Sequence, residues 1–260
     1  MPVVTSHDGT TLAFETTGSG PAVILVDGAM CFRESGPMRP IARQLVDHFT
    51  VYLYDRRGRG ESGDTVPFAI DREIEDLDAI ITATGGAACV LGISSGAALV
   101  LAAAARLGSE RIDRIALFEP PYLSADGLSA AAAYTKELTT ALAEGRNADA
   151  VGLFLQRVGV PPEGIQAMRN APTWKAMEAL APTLAYDNAL MGDGTVPVSL
   201  AKQVEVPTLT LVGGASPAFL RYGGAEVAKA IPGARVEVIE GQTHAVAADA
   251  IASHLIPFFS

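Results

Sequence analysis

The chain is poor in cysteine and in positive charge for its 260 residues. Its two cysteines, Cys31 and Cys89, lack the spacing of metal ligands and are too few for a disulfide scaffold, which indicates a reducing compartment. Lys and Arg number 19 against 29 Asp and Glu, so the net charge is −10. Without a basic stripe, this charge argues against nucleic acid and against an anionic membrane surface as partners.

Long hydrophobic runs are also absent. No apolar stretch approaches the length of a membrane span, and residues 1–9 show neither the basic start nor the apolar core of a secretory signal. We therefore expect a cytoplasmic protein with no membrane partner. Hydrophobic residues make up 49% of the chain, which excludes a disordered protein and fits a buried sheet covered by helices.

Short apolar runs alternate with helical patterns along most of the chain. This alternation predicts an α/β fold with a mostly parallel sheet and helices on both faces. Residues 11–15 place Leu12 and Phe14 on one face and predict part of an antiparallel hairpin at the sheet edge. The predicted parallel strands are 22–26, 51–54, 88–93, 115–118, 209–212 and 236–239, and the helices between or after them are 37–49, 70–84, 95–107, 219–231 and 247–259.

A long segment separates two of these strands. Roughly 85 residues lie between the strand ending near Pro120 and the one starting near Pro207, far more than a crossover needs. We expect a helical lid over residues 122–205, inserted between core segments 1–121 and 206–260. Its predicted helices are 128–144, 148–158, 163–169 and 174–191, the last with a break at Pro182.

A Gly-x-Ser-x-Gly pattern, Gly92-Ile93-Ser94-Ser95-Gly96, joins a buried strand to a helix rich in alanine. A serine at the apex of such a sharp turn stands exposed above the sheet, so Ser94 is the candidate nucleophile. The backbone N–H of Ser95, at the start of the helix, is a candidate donor to an oxyanion. The alternative is a glycine-rich bend that only connects two buried elements.

A serine hydroxyl needs a general base, and the chain has four histidines. His244 follows the last predicted strand and precedes the final helix, where a loop can bring an imidazole to the top of the sheet. The other three, His7, His48 and His254, are interpreted as structural or solvated. We therefore expect His244 to be the base, although it can also be an ordinary loop histidine.

The acid that orients this histidine has to come from an unusual place. The turn at 213–217 carries no carboxylate, whereas Glu119 ends a strand next to the nucleophile strand. A carboxylate at the end of an apolar strand is costly without a partner, which favours Glu119 as the acid. Alternatively, Glu119 caps the lid or binds a backbone amide. Asp187 and Asp193 are the fallback acids.

Two loops that follow predicted strands also concern the site. After Asp27, which we interpret as structural, the N–H of Gly28 or Ala29 is the candidate second donor to the oxyanion. The loop 54–63 contains three arginines, which suggests phosphate binding, but it lacks the phosphate-loop pattern. We expect an internal network of ion pairs around Asp55 instead.

These features together resemble the α/β-hydrolase superfamily over nearly the whole chain. The segment 55–63, the elbow at Ser94, Glu119 and the segment 241–244 carry the resemblance. The missing acid at 213–217 departs from the usual pattern and is similar to zearalenone lactonases, which have a glutamate after the preceding strand. The resemblance implies a serine hydrolase without metal or cofactor, supports Glu119 as the acid, and favours a lactone or ester substrate.

The expected reaction is hydrolysis of a hydrophobic small-molecule ester or lactone through an acyl-enzyme. The same residues also suit a carbon–carbon bond hydrolase, a lyase or a ligand receptor with low turnover. The oligomeric state, monomer or homodimer, stays open. The bulky side chains expected to form an apolar pocket, each of which can equally pack the lid, are Met30, Tyr122, Phe154, Trp174, Tyr186 and Met191.

Overall fold

Eight strands form one sheet in the computed structural model, which describes residues 2–260. The strand order is β1-β2-β4-β3-β5-β6-β7-β8. β1 and β2 form an antiparallel hairpin at one edge, β2 also runs antiparallel to β4, and the remaining pairs are parallel. The strands are β1 Val3–Thr5, β2 Thr11–Gly18, β3 Ala22–Val26, β4 Thr50–Tyr54, β5 Ala88–Ile93, β6 Ile112–Phe118, β7 Thr208–Gly213 and β8 Arg235–Ile239.

Helices flank the sheet and fill its long connection. The predicted α/β class and the edge hairpin are confirmed. The helices are α1 Met38–Leu45, α2 Ile70–Ala83, α3 Ser95–Leu107, α4 Ala125–Ala143, α5 Asn147–Arg157, α6 Pro162–Arg169, α7 Trp174–Leu180, α8 Leu184–Met191, α9 Val198–Ala201, α10 Ala218–Ala230 and α11 Ala248–Phe259.

The central strands are apolar on both sides because helices cover both faces of the sheet. All six residues of β5 are buried. Along β3, Ile24 belongs to a core cluster with residues of α2, α3 and α10, whereas its neighbour Leu25 belongs to a second cluster with α1 and α11. Alternate side chains of a strand point to opposite faces, so a continuous apolar run suits this position.

The helices α4 to α9 lie between β6 and β7, where the sequence predicts an insertion. A short 3₁₀ helix, Ala181–Thr183, separates α7 from α8 at the expected break around Pro182. The short helix α9 was not predicted. Helices α4 to α8 share a small core that includes Trp174 and Leu184, and Ala29 and Met30 from the loop after β3 pack against it. That the insertion acts as a lid stays a prediction.

No helix in the described part of the chain is long and apolar enough to cross a membrane.

The glycines at 92 and 96 let β5 and α3 approach their neighbours closely. A Cβ on Gly96 would collide with the carbonyl oxygens of Val26 and Asp27, which are backbone atoms and cannot move aside cheaply. A Cβ on Gly92 would collide with the backbone of Gly96 and Ala97. The connection from β5 to α3 is therefore packed against the end of β3.

We predict that Gly96→Ala lowers the free energy of unfolding by about 1–3 kcal/mol, as overpacking does. Gly86→Ala is the matched control, because a Cβ there meets no atom within 4 Å, and it should stay within about 0.5 kcal/mol of the wild type. Urea denaturation measures both values. Equal stability of the two variants would contradict the close packing.

Candidate active site

Ser94 lies in a strained turn between β5 and α3. Its φ is 56° and its ψ is −125°, which is uncommon for a residue other than glycine. The backbone N–H of Ser94 donates to the carbonyl of Phe118 at 2.9 Å, and the Ser94 carbonyl accepts from Ala97 at 2.9 Å. The turn is thus held by the neighbouring strand on one side and by the helix on the other.

The Ser94 side chain is half-buried and lies beside the loop after β3. A Cβ added to Gly28 would lie 3.1 Å from Ser94 Cβ and 3.8 Å from Ser94 Oγ. Within residues 2–260 the Ser94 hydroxyl makes no hydrogen bond. The hydroxyl is therefore free for a substrate, with a glycine backbone close to it.

Glu119 directly follows β6 and is fully buried. Its two carboxylate oxygens have different partners. Oε1 accepts the backbone N–H of Gly213 at 2.7 Å, and Oε2 lies 2.5 Å from His244 Nδ1. The two alternatives for Glu119, an amide acceptor and a partner of His244, are both present at once. Gly213 belongs to the turn that lacks a carboxylate, and its backbone amide was not among the predicted site groups.

His244 lies in the loop between β8 and α11, and its ring stacks on Phe118 with centroids 5.9 Å apart and planes 16° apart. Because Glu119 occupies Nδ1, this nitrogen carries the proton when the imidazole is neutral, and Nε2 is left as an acceptor. In the described part of the chain no hydrogen bond joins His244 to Ser94. When no substrate is bound, the distance between a nucleophile and its general base is often longer than a hydrogen bond.

The other histidines lie elsewhere, as the sequence indicates. The side chain of His7 is 80% exposed, and His48 is also exposed. His254 on α11 pairs with Glu237 of β8 through a 2.7 Å hydrogen bond. This second histidine–glutamate pair provides a natural comparison for the pair at His244.

Three backbone N–H groups near Ser94 are free to bind an oxyanion. The carbonyl of Asp27 accepts from Arg56 at 3.2 Å, and the carbonyl of Gly28 accepts from Arg59 at 2.7 Å. In a trans peptide the N–H points opposite to the C=O, so the N–H groups of Gly28 and Ala29 point away from these arginines. Within residues 2–260 neither they nor the Ser95 N–H donate to another group.

The arginines of the loop after β4 form internal ion pairs, as the sequence predicts, but their partners are carboxylates other than Asp55, which pairs with Arg33 instead. Asp55 accepts backbone N–H groups of Arg33 and Glu61 at 2.8 and 2.9 Å. Each arginine of the loop is buried and paired with a carboxylate. The pairs are Arg56 with Glu73 and Asp187, Arg57 with Asp76 and Asp8, and Arg59 with Asp187.

The fallback acids are engaged away from His244. Asp187 on α8 is buried and accepts from Arg56, from Arg59 and from the hydroxyl of Ser95, each bond being 2.8 to 2.9 Å long. Asp193 accepts hydrogen bonds from the backbone N–H and the hydroxyl of Thr195. The contacts of Asp187 with Arg56, Arg59 and Ser95 were not predicted from the sequence. The sequence contained one signal for these contacts: if the three arginines of the loop 54–63 are buried, they need more carboxylates than the loop itself supplies.

The bulky candidates for the pocket occupy three regions of the molecule. Met30 and Phe154 are half-buried against the core of the insertion, and Trp174 is buried within that core. Tyr122 is buried in the main core, and Met191 packs against the same cluster. Packing roles are visible for all five residues, and contact with a substrate stays a prediction.

Tyr186 has specific partners of its own. Its hydroxyl donates to Asp64 at 2.6 Å, and its ring stacks on Phe68 with centroids 4.0 Å apart. These contacts tie α8 to the segment that follows the arginine loop. Tyr186 therefore has a structural explanation that needs no substrate.

A cleft of about 840 Å³ lies between α4, α5 and α6 and does not include Ser94, Glu119 or His244. Its lining contains charged side chains such as Lys136, Glu137 and Arg169. An apolar pocket above Ser94 therefore stays a prediction. Within residues 2–260 no group of three or more His, Cys, Asp or Glu residues is arranged to hold a metal ion.

The sharp turn at Ser94, at the carboxyl edge of a mostly parallel sheet, is the arrangement of one enzyme class. Residues 18–252 match the model of the alpha/beta hydrolase family, and the chain belongs to that family. It is a hydrolase enzyme of this fold.

Solved structures and curated relatives agree with this classification. The chain is 51% identical to an alpha/beta hydrolase from Sphaerobacter thermophilus, with a TM-score of 0.87 and full coverage of both chains. It shares its fold with the enol-lactonase from Burkholderia xenovorans LB400, at 24% identity, 99% coverage of both chains and a TM-score of 0.70. A pimeloyl-[acyl-carrier protein] methyl ester esterase from Xylella fastidiosa is 40% identical over 99 residues, which are 37% of this chain and 36% of that relative's length.

Asp27 is a buried carboxyl group next to the candidate oxyanion donors. It is 2% exposed, and in the described part of the chain its Oδ1 has no hydrogen-bond partner. Burial raises the pKa of Asp27 to about 7, although Arg59 and Arg56 oppose the shift. The folded protein therefore favours the protonated form of this group.

We predict that the melting temperature of the wild type falls relative to that of Asp27→Asn as the pH rises from 5 to 8.5. Because burial raises the pKa of Asp27 from 3.8 to about 7 in the folded state, its contribution to stability is complete below about pH 4, decreases as the pH rises between these two values and is lost above about pH 7. Asp47→Asn, at an exposed position, is the control and should follow the wild type. Parallel pH curves for wild type and Asp27→Asn would contradict the burial argument.

Proposed function

We propose that this protein hydrolyses an ester or lactone of a hydrophobic small molecule through an acyl-enzyme, with Ser94, His244 and Glu119 as its catalytic residues. The observation that carries the proposal is the hydrogen bond of buried Glu119 to His244 Nδ1. Ser94 and Glu119 directly follow the paired residues Ile93 and Phe118 of neighbouring strands. The nucleophile and the acid that orients its base therefore share one edge of the sheet.

In the first step Ser94 Oγ attacks the carbonyl carbon of the substrate while its proton passes to His244 Nε2. The carbonyl oxygen becomes an oxyanion, which the N–H groups of Ser95 and of Gly28 or Ala29 bind. The Glu119 carboxylate stabilises the imidazolium that forms and keeps its ring in place. The bond from Gly213 to Oε1 fixes the carboxylate itself.

The oxyanion then collapses, the bond to the leaving oxygen breaks, and His244 returns the proton to that oxygen. With a lactone, the released hydroxyl stays attached to the acyl group. A water molecule next attacks the acyl-enzyme, with His244 again taking the proton. His244 returns this proton to Ser94 Oγ as the carboxylic acid product leaves, which restores the hydroxyl.

The choice of substrate class rests on relatives and on the insertion. Two of the similar proteins are named as a methyl ester esterase and an enol-lactonase. Apolar side chains of the insertion core pack against Ala29 and Met30, so an acyl group near Ser94 would meet an apolar neighbourhood. Both cysteines are free, which supports the cytoplasm as the proposed compartment.

We expect Ser94→Ala to lower kcat/KM for a p-nitrophenyl ester by about 10³-fold or more, because the nucleophile is lost. A fluorophosphonate should label the wild type at Ser94 and should not label the variant. Unchanged turnover in Ser94→Ala would refute the mechanism. Labelling without sustained turnover of any ester or macrolactone would favour a receptor instead.

The two histidine–glutamate pairs allow a matched test of the acid. Glu119→Gln should lower kcat by roughly 10²- to 10⁴-fold, because an amide neither selects the same tautomer nor stabilises the imidazolium. Glu237→Gln makes the same chemical change at the pair with His254 and should leave kcat within about twofold. Equal activities of the two variants, with both folded by circular dichroism, would show that Glu119 is not the acid.

A further inference from the structure

Asp187 stands at the centre of the buried network that connects the insertion with the active-site loops. It lies on α8 and is only 6% exposed. Its carboxylate accepts hydrogen bonds from the guanidinium groups of Arg56 and Arg59, both of which are buried. Oδ1 also accepts the hydroxyl of Ser95 at 2.8 Å. One carboxylate thus binds two arginines of the loop after β4 and the first residue of α3.

Both arginines reach from Asp187 to the backbone of the loop after β3. Arg56 donates from Nη1 to Asp187 and to the Asp27 carbonyl, and Arg59 donates from Nη2 to Asp187 and from Nη1 to the Gly28 carbonyl. These two carbonyls belong to the peptide units whose N–H groups are Gly28 and Ala29. A peptide unit is planar, so holding its carbonyl also fixes the direction of its N–H.

The third candidate donor is held by the same carboxylate. Ser95 is the first residue of α3, and its free backbone N–H lies next to Ser94. The bond from its hydroxyl to Asp187 restrains the residue that carries this N–H. All three candidate donors therefore depend on Asp187, through two arginines or through one hydroxyl.

We propose that Asp187 is a positioning residue that aligns the oxyanion hole with Ser94 from its place on the helical insertion. This proposal rests on the proposed function, since it presumes that an oxyanion forms at Ser94. Asp187 touches neither substrate nor reacting atoms in this scheme. It sets the direction of donors whose alignment matters most in the transition state.

Charge balance explains why an aspartate is needed at this position. Within residues 2–260 Asp187 is the one carboxylate that Arg59 contacts, whereas Arg56 also has a two-pronged bond with Glu73. Loss of the charge at 187 removes the carboxylate that forms the ion pair with the buried guanidinium of Arg59. Arg59 then has to shift, and the Gly28 carbonyl shifts with it.

The test compares Asp187→Asn with Asp76→Asn. Asp76 forms an equally buried, two-pronged ion pair with Arg57, one residue along the same loop, but Arg57 donates to Asp8 and to the Arg72 carbonyl and not to the loop after β3. Each variant removes one charge from a buried arginine pair, so both should lower the melting temperature. Only Asp187 lies on the path to the oxyanion donors.

For a p-nitrophenyl ester we expect Asp187→Asn to lower kcat by about 10- to 100-fold with KM changed by less than about threefold. Asp76→Asn should keep kcat within about twofold. A loss of kcat in Asp76→Asn equal to that in Asp187→Asn would overturn the proposal. A raised KM with unchanged kcat in Asp187→Asn would also overturn the proposal, because it would mean that Asp187 contributes to substrate binding in the ground state and not specifically to the transition state.

Ser95→Ala provides a milder variant in case Asp187→Asn does not fold. It keeps the backbone N–H and removes only the hydroxyl that bonds to Asp187. We expect kcat to fall by about two- to tenfold and the melting temperature to stay that of the wild type. Unchanged kcat in Ser95→Ala would overturn the role of that contact. Ser94→Ala in the same assays separates the two proposals, because full activity there means that the proposed function, not the positioning, has failed.

Discussion

The buried carboxylate of Glu119 is the interaction on which the candidate site depends. It lies at the end of β6 and binds a backbone amide at the end of β7 and an imidazole from the loop after β8. Three consecutive strand ends thus converge on one side chain. A charge without solvent is costly to bury, and these two hydrogen bonds offset that cost only while both loops stay in place. The usual acid position, in the turn at 213–217, supplies a backbone amide here instead.

A second set of buried charges connects the insertion to the sheet. The arginines after β4 reach carboxylates on α2 and α8, and two of them also bind carbonyls of the loop after β3. Such pairs add little net stability compared with apolar packing, but they define one arrangement of the groups that they join. In this protein the groups so joined are the backbone donors beside Ser94. This arrangement supports the proposal that the network positions the candidate oxyanion donors.

Much of the fold was predictable because its signals are local. Apolar runs, glycine turns and helical periodicity identified the parallel strands, the edge hairpin and the break at Pro182, and the short α9 was missed because four residues carry little pattern. The pairing of Glu119 with His244 was predictable, because Glu119 ends the strand next to the nucleophile strand and His244 follows the last strand of the same sheet. Chain order and sheet topology together were enough for that inference.

The role of Asp187 was not predictable in the same way. Its partners Arg56 and Ser95 lie 131 and 92 residues away along the chain, and no local pattern reports such contacts. The packing of the bulky side chains was equally hidden, since Tyr186 has to be seen against Phe68 and Asp64 to be explained. Buried polar pairing between distant segments is decided by tertiary structure, which propensity and periodicity do not describe.

A crystal structure of the phosphonate adduct would measure the central geometry most directly. We expect phosphorus bonded to Ser94 Oγ, a phosphonyl oxygen within about 3.1 Å of the Ser95 N–H and of the Gly28 or Ala29 N–H, and His244 still bonded to Glu119 with Nε2 facing Ser94 Oγ. An adduct on another residue would contradict this arrangement, as would an imidazole that has left Glu119 and turned away from Ser94.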